Sequence, residues 1–223
     1  DALLPGRFHT LAGVLADAGY QTLGISQNPW VGALSTQSHG FAHFWELWSE
    51  QQEFPFAPRT GKELEDSKVT HAFRHFLSSM RKEDAPFFLF VNYIQCHLPY
   101  TPKAEFRNKH VRGFPPDSVF TLTSHNWLER KEAGELGAEE VDFLRRLYRA
   151  EVEQTDAAIG EIIMLLKKRK LFENTLFIVT SDHGECIGHH GYFDHQFTIH
   201  DDLVRIPLVM HHGALPAGKT MEM

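Results

Sequence analysis

The stretch NTLFIVTSDHGECIGHHGYFDHQFTIHDDLVRIP, Asn174 to Pro207, decides how this chain is read. It opens on an apolar run, Thr175 to Val179, and breaks at Ser181-Asp182-His183-Gly184-Glu185. Between Asp182 and His200 eight residues are Asp, Glu or His, and glycines stand at 184, 188 and 191. A strand that stops at such a cluster delivers ligands to a site beyond its carboxyl end. Neighbouring side chains on a regular strand point to opposite faces. Past the strand end, at a glycine turn, that limit relaxes, and Asp182 and His183 can reach one ion. A carboxylate with an imidazole suits a divalent cation: calcium, manganese or zinc. Two ligands do not close a site, so further ligands are expected from elsewhere.

Working outward, the run Pro86–Tyr93, PFFLFVNY, is apolar on both faces. It reads as a buried central strand, and it leads to Gln95-Cys96-His97-Leu98-Pro99-Tyr100. Thr22–Ser26 is a third strand, ending in Gln27-Asn28-Pro29-Trp30. Helical spacing marks residues 8–18, with Gly19 as the stop, then 62–81, and most strongly 139–169. Lys167-Lys168-Arg169-Lys170 closes that last helix, cations at the negative end of its dipole. Helices alternating with apolar strands imply an α/β fold with a mostly parallel central sheet between helices. Residues 31–60 and 103–137 read as excursions with little regular structure. The chain is expected to be one domain over 1–223.

Bulk properties narrow the function. A length of 223 residues, 42% hydrophobic and 23% charged, suits a folded globular unit with a full core. The net charge of −7 argues against a nucleic-acid partner. No apolar run reaches 18 residues and no signal peptide is visible. Two cysteines, Cys96 and Cys186, do not make a disulfide framework. There is no G-x-S-x-G elbow and no Walker A loop. The visible chemistry is metal and oxyanion handling without an attacking group. His97, beyond a strand end, suits holding an oxyanion or protonating a leaving oxygen. His189, His190, His195 and His200 fall in the glycine-punctuated loop.

These residues resemble a known family. Asn174–Val209 is similar to the C-terminal part of the catalytic core of the sulfatases, within the alkaline phosphatase superfamily. YRAEVEQTDAAIGEIIMLLKKRKLFENT is similar to the helix leading into that strand. FFLFVNYIQCHLPYTP resembles the strand with its His-x-Pro segment, and FHTLAGVLADAGYQTLGISQNPW the early helix and second strand. The resemblance implies an alkaline-phosphatase-like core that is incomplete at its N-terminus. It implies that Asp182 and His183 are paired metal ligands, the metal being calcium first, with manganese or zinc as alternatives. It implies that His97 contacts the sulfate and protonates the leaving group. His195 falls where the family places a Lys or His on the substrate oxyanion. Gln27-Asn28-Pro29-Trp30 departs from the family's Gly-Lys-Trp-His, leaving Asn28 as a candidate substrate contact.

The family's Asp-Asp metal pair and its Cys/Ser-x-Pro-x-Arg motif, source of the formylglycine nucleophile, are expected upstream of Asp1. The implied activity is metal-dependent hydrolysis of a small-molecule or carbohydrate sulfate ester. The isolated chain is expected to show no turnover. The Asp-His pair departs from the Asp-Asn of calcium arylsulfatases. It leaves open a phosphonate monoester or phosphodiester hydrolase, or an inactive sulfatase-like protein.

Overall fold

A computed structural model of the chain describes residues 9–32, 36–48, 68–82, 84–113, 122–216 and 218–219. Two compact units divide it, residues 1–94 and 95–223.

The first unit begins with helix α1, Leu11–Asp17. Thr10 caps it, its hydroxyl accepting the Gly13 amide at 3.0 Å. Strand β1, Gln21–Ser26, is buried from Thr22 onward. It lies between β2, His43–Glu46, and β3, Phe87–Asn92, in a three-stranded parallel sheet ordered β2-β1-β3. Gly24 permits that packing: a Cβ there would fall 2.2 Å from the Phe44 ring. Helix α2, Lys68–His75, continues into a π turn, Phe76–Met80, and buries Val69, Ala72, Phe73 and Phe76. Each of those four residues removes an apolar side chain from water, and the larger ones contribute roughly 1.5–3 kcal/mol apiece.

Two sequence expectations change here. Strand β3 was expected at the centre, yet β1 holds that place among the described residues, and Phe90 of β3 is exposed. The apolar character of β3 is spent on ring packing: Phe87 meets Phe73 and Phe76, and Phe88 stacks on Phe41. The segment 31–60, expected irregular, contains β2. A strand of four residues leaves too short an alternation to stand out among surrounding aromatics. Residues 33–35 and 49–60 of that segment lie outside the described residues.

The second unit is built on helix α5, Ala138–Lys168, within a residue of the span its apolar stripe predicts. Phe143, Leu144 and Leu147 of α5 form a core with Leu98, Tyr100, Val111, Leu122, Trp127, Ile187 and Phe193. Val111, Leu122 and Trp127 come from 103–137, the stretch expected to hold little regular structure. That stretch contains α3, Ala104–His110, and α4, Trp127–Glu132. Helices of one to two turns are too short to show a 3.6-residue period, so single anchors carry their burial.

Strand β4, Phe177–Thr180, pairs antiparallel with β7, Leu208–His211. Ile178, Leu208, Val209 and Met210 of this pair stand exposed. A short antiparallel hairpin, β5 (Cys186–Ile187) and β6 (Phe193–Asp194), follows β4, and helix α6, Asp201–Val204, precedes β7. No described helix is long and apolar enough to cross a membrane.

Candidate active site

Four of the five candidate residues, His97, Asp182, His183 and His195, belong to the second unit. Three imidazoles converge there. The His183 ring stacks on that of His195, centroids 4.1 Å apart and planes 15° from parallel. The His97 ring meets His195 edge-on at 5.0 Å. Asp182 adjoins: its Oδ1 lies 3.8 Å from His183 Nε2. Asn28 is in the first unit, where its Oδ1 accepts the Trp30 amide at 2.9 Å. That bond closes a polar turn after β1, a structural task for the side chain.

The Asp182–His183 pair sits where its turn puts it, just beyond β4. Asp182 Oδ1 accepts the His183 amide at 3.0 Å. His183 Nδ1 lies 2.8 Å from the Gly184 carbonyl. A carbonyl only accepts, so Nδ1 carries the hydrogen and Nε2 of the neutral ring keeps its lone pair. That is the posture of a ligating histidine. The exposed Asp182 carboxylate and His183 Nε2 therefore fit a divalent cation, as the resemblance implies. Gly184 donates to Leu203 O at 2.8 Å, and a Cβ on it would lie 1.9 Å from Asp202 O. The turn can be placed against α6 only because residue 184 has no side chain.

His97 lies five residues past the end of β3, in a loop held by a residue the sequence reading did not single out. Glu151 of α5 is 3% exposed. Its Oε2 accepts the Cys96 amide and its Oε1 the Thr101 amide, both at 2.6 Å. One buried carboxylate thus clamps both ends of the loop. Cys96 takes φ 71°, a left-handed conformation that a non-glycine residue holds only when its surroundings impose it. Burial raises the Glu151 pKa, and the two amides work against that rise. In the sequence Glu151 looks like any acid on a helix; only the facing amides identify it.

The β5–β6 hairpin supplies the third imidazole. Lys131 of α4 donates to Gly191 O at 2.6 Å, and Arg145 of α5 to Ile187 O at 3.0 Å. Asp194, 1% exposed, closes the hairpin at φ 69°. Its Oδ1 accepts the His195 amide at 2.7 Å and lies 2.5 Å from His195 Nδ1. Burial lowers the His195 pKa; Asp194 opposes this, and His183 and His97 reinforce it. Both carboxylate oxygens of Glu185 are buried without a hydrogen-bond partner. Burial, then the charges of Asp194 and Glu151, push its pKa up to about 9. The remaining loop histidines are engaged separately. His189 Nδ1 pairs with Asp202 Oδ1 at 2.9 Å, and His190 stacks on His200.

Both cysteines are free thiols. Burial pushes Cys96 up to about 11 and raises Cys186 as well. Reactivity follows the thiolate. Iodoacetamide is therefore expected to label neither thiol appreciably in the folded protein at neutral pH, with Cys96 labelling rising only as pH approaches about 11. Mass spectrometry of the alkylated chain measures this, and prompt neutral labelling would contradict it.

The fold places the chain in a class first. It resembles the phosphonate monoester hydrolase of Agrobacterium radiobacter, with a TM-score of 0.67 at 18% identity over 94% of this chain and 53% of that one. It also resembles a protein solved in complex with its substrate D-glucosamine-2-N,6-O-disulfate (TM-score 0.66, 19% identity, 93% and 56% covered). These likenesses define an α/β alkaline-phosphatase-like fold. The sulfatase family profile then matches residues 2–219, and the chain belongs to the sulfatase family. Iduronate 2-sulfatase of Mus musculus is 27% identical over 168 residues, 66% of this chain and 30% of that protein. Arylsulfatase K of Canis lupus familiaris is 38% identical over 86 residues, 39% and 16% respectively. The chain thus spans less than a third of the length of these curated relatives.

Proposed function

We propose that this chain is the metal- and leaving-group-side portion of a sulfuric ester hydrolase acting on a small-molecule or carbohydrate sulfate. The observation that carries the reading is the convergence of His97, His183 and His195 beside Asp182. Asp182 and His183 would hold a divalent metal, calcium first and manganese or zinc as alternatives. The metal and a formylglycine outside this sequence supply the charge stabilisation and the attacking group. This chain's own residues do the rest. His195, backed by Asp194, faces the developing oxyanion charge. His97 holds a proton on Nε2 in its cationic form and passes it to the leaving alcohol as the S–O bond breaks. Glu151 keeps His97 in place through the two amides it clamps.

Leaving-group chemistry tests this in the full-length protein. His97→Ala is expected to reduce kcat on an alkyl sulfate by roughly 10²–10⁴-fold, the usual worth of general acid catalysis. On 4-nitrophenyl sulfate, whose phenolate leaves without a proton, the loss should be much smaller. Equal losses on both esters would remove the proton-donor role. The Asp182-His183 pair keeps a second reading in play, a phosphonate monoester or phosphodiester hydrolase. Higher kcat/KM on aryl phosphonates than on aryl sulfates would favour it.

A further inference from the structure

Away from His97 and His195, a second pair of imidazoles takes no part in breaking the ester. His190 stands in the turn of the β5–β6 hairpin and His200 directly before α6. Both are exposed. Their rings stack, with centroids 4.1 Å apart and planes 24° from parallel. Among the described residues no carboxylate pairs with either ring, Asp201 beside His200 included, and Asp202 is taken by His189 at 2.9 Å. A cation stands near instead. Lys131 Nζ lies 5.6 Å over the Tyr192 ring and donates to Gly191 O, and the Tyr192 ring is 6.1 Å from that of His200. Between His195 and His200 the chain exposes Phe197, whose ring packs edge-on against Trp127. His190 and His200 are each five residues from His195. At roughly 3.3–3.6 Å per residue, each lies no more than about 18 Å from it.

We propose that His190 and His200 form a receptor for a second anionic group of the substrate, a carboxylate or sulfate on a sugar beside the one whose ester is cleaved. An imidazole takes up its proton close to neutral pH. One proton sits comfortably on the stack, whereas two put like charges 4.1 Å apart. An anion meeting both rings offsets that repulsion and accepts a charge-assisted N–H from each. A metal ion fits the pair less well. Ring lone pairs lie in the ring planes, and planes so nearly parallel do not converge on one ion, while separate oxygens of one anion can meet both rings. Phe197 adds a flat apolar surface beside the polar pair, the mixture that a ligand site uses. The role rests on the sulfatase reading of this unit and deepens it, by requiring a substrate with two anionic groups.

Carbethoxylation of the full-length protein by diethylpyrocarbonate, read residue by residue by mass spectrometry, tests this. Inorganic sulfate and glucuronate are the probes; glucose, and sodium chloride at matched ionic strength, are the controls. Sulfate, glucuronate or both should slow labelling of His190 and His200 together, by about 10-fold once the anion stands at ten times its Kd. Protection by sulfate alone assigns the second group as a sulfate, and protection by glucuronate alone as a carboxylate. No protection by either anion, or equal protection by the controls, overturns the proposal. His200→Gln should abolish the protection of His190. His190→Asn, which keeps a residue tolerant of the left-handed φ of 52°, should abolish that of His200. Protection that survives both changes overturns the shared receptor. Both variants should hydrolyse 4-nitrophenyl sulfate, which has no second anion, as the parent does, and a large loss there overturns the remote role. The same assay keeps the two readings apart. Missing protection with that ester hydrolysed defeats the receptor alone; protection with no sulfate ester hydrolysed defeats the sulfatase reading alone.

Discussion

Replacing Glu151 with Ala is expected to cost about 3–5 kcal/mol of folding stability, because two amide donors lose their acceptor inside the protein. Those donors, Cys96 N–H and Thr101 N–H, stand at opposite ends of the loop that bears His97. The carboxylate is 3% exposed, so water cannot readily take over both bonds. Cys96 is in a left-handed conformation, and without the clamp it is free to relax. Relaxation would swing His97 out of its edge-on contact with His195. Glu151→Gln separates the components. The amide oxygen can accept one N–H, while the amide nitrogen is a donor facing a donor, so part of the stability should return. Urea denaturation of the three proteins measures this. An Ala variant as stable as the parent would show that the clamp is dispensable.

Gly184→Ala is the second large effect expected, about 2–4 kcal/mol of destabilisation from a forced overlap plus a lost hydrogen bond. The added Cβ would lie 1.9 Å from Asp202 O and 2.9 Å from its carbonyl carbon. Both are backbone atoms, and neither can rotate away. The turn must back off from α6, breaking the bond from Gly184 N–H to Leu203 O. Asp182 and His183 ride on that turn, so metal affinity there should fall with stability. Gly160 in α5 is the control. A Cβ there meets nothing within 4 Å, and Gly160→Ala should stabilise the helix by up to about 1 kcal/mol. Equal melting temperatures for the two alanine variants would defeat the space argument.

Much of this was legible in the residues. Helix α5 carries an apolar stripe long enough for its period to be unmistakable, and the spans agree closely. The run into Asp182-His183 reads as a strand with ligands at its end, since apolarity stops abruptly at a glycine turn. Shorter elements were not legible. β2, α3 and α4 offer four to seven residues each, at most two periods of any pattern. Nothing in the sequence marks Val111, Leu122 and Trp127 as core residues, because their partners are distant along the chain.

The sequence by itself determined the α/β class, the sulfatase likeness, and the identity of Asp182, His183, His97 and His195 as candidates. Those are matters of local chemistry and period, carried by residues close together along the chain. Only the tertiary structure decided that Glu151 clamps a loop 50 and 55 residues away in sequence, and that Asp194 lies buried against His195. It alone brought three imidazoles within ring contact. A carboxylate's role depends on which donors face it and how far water is excluded, and neither is written at the residue itself.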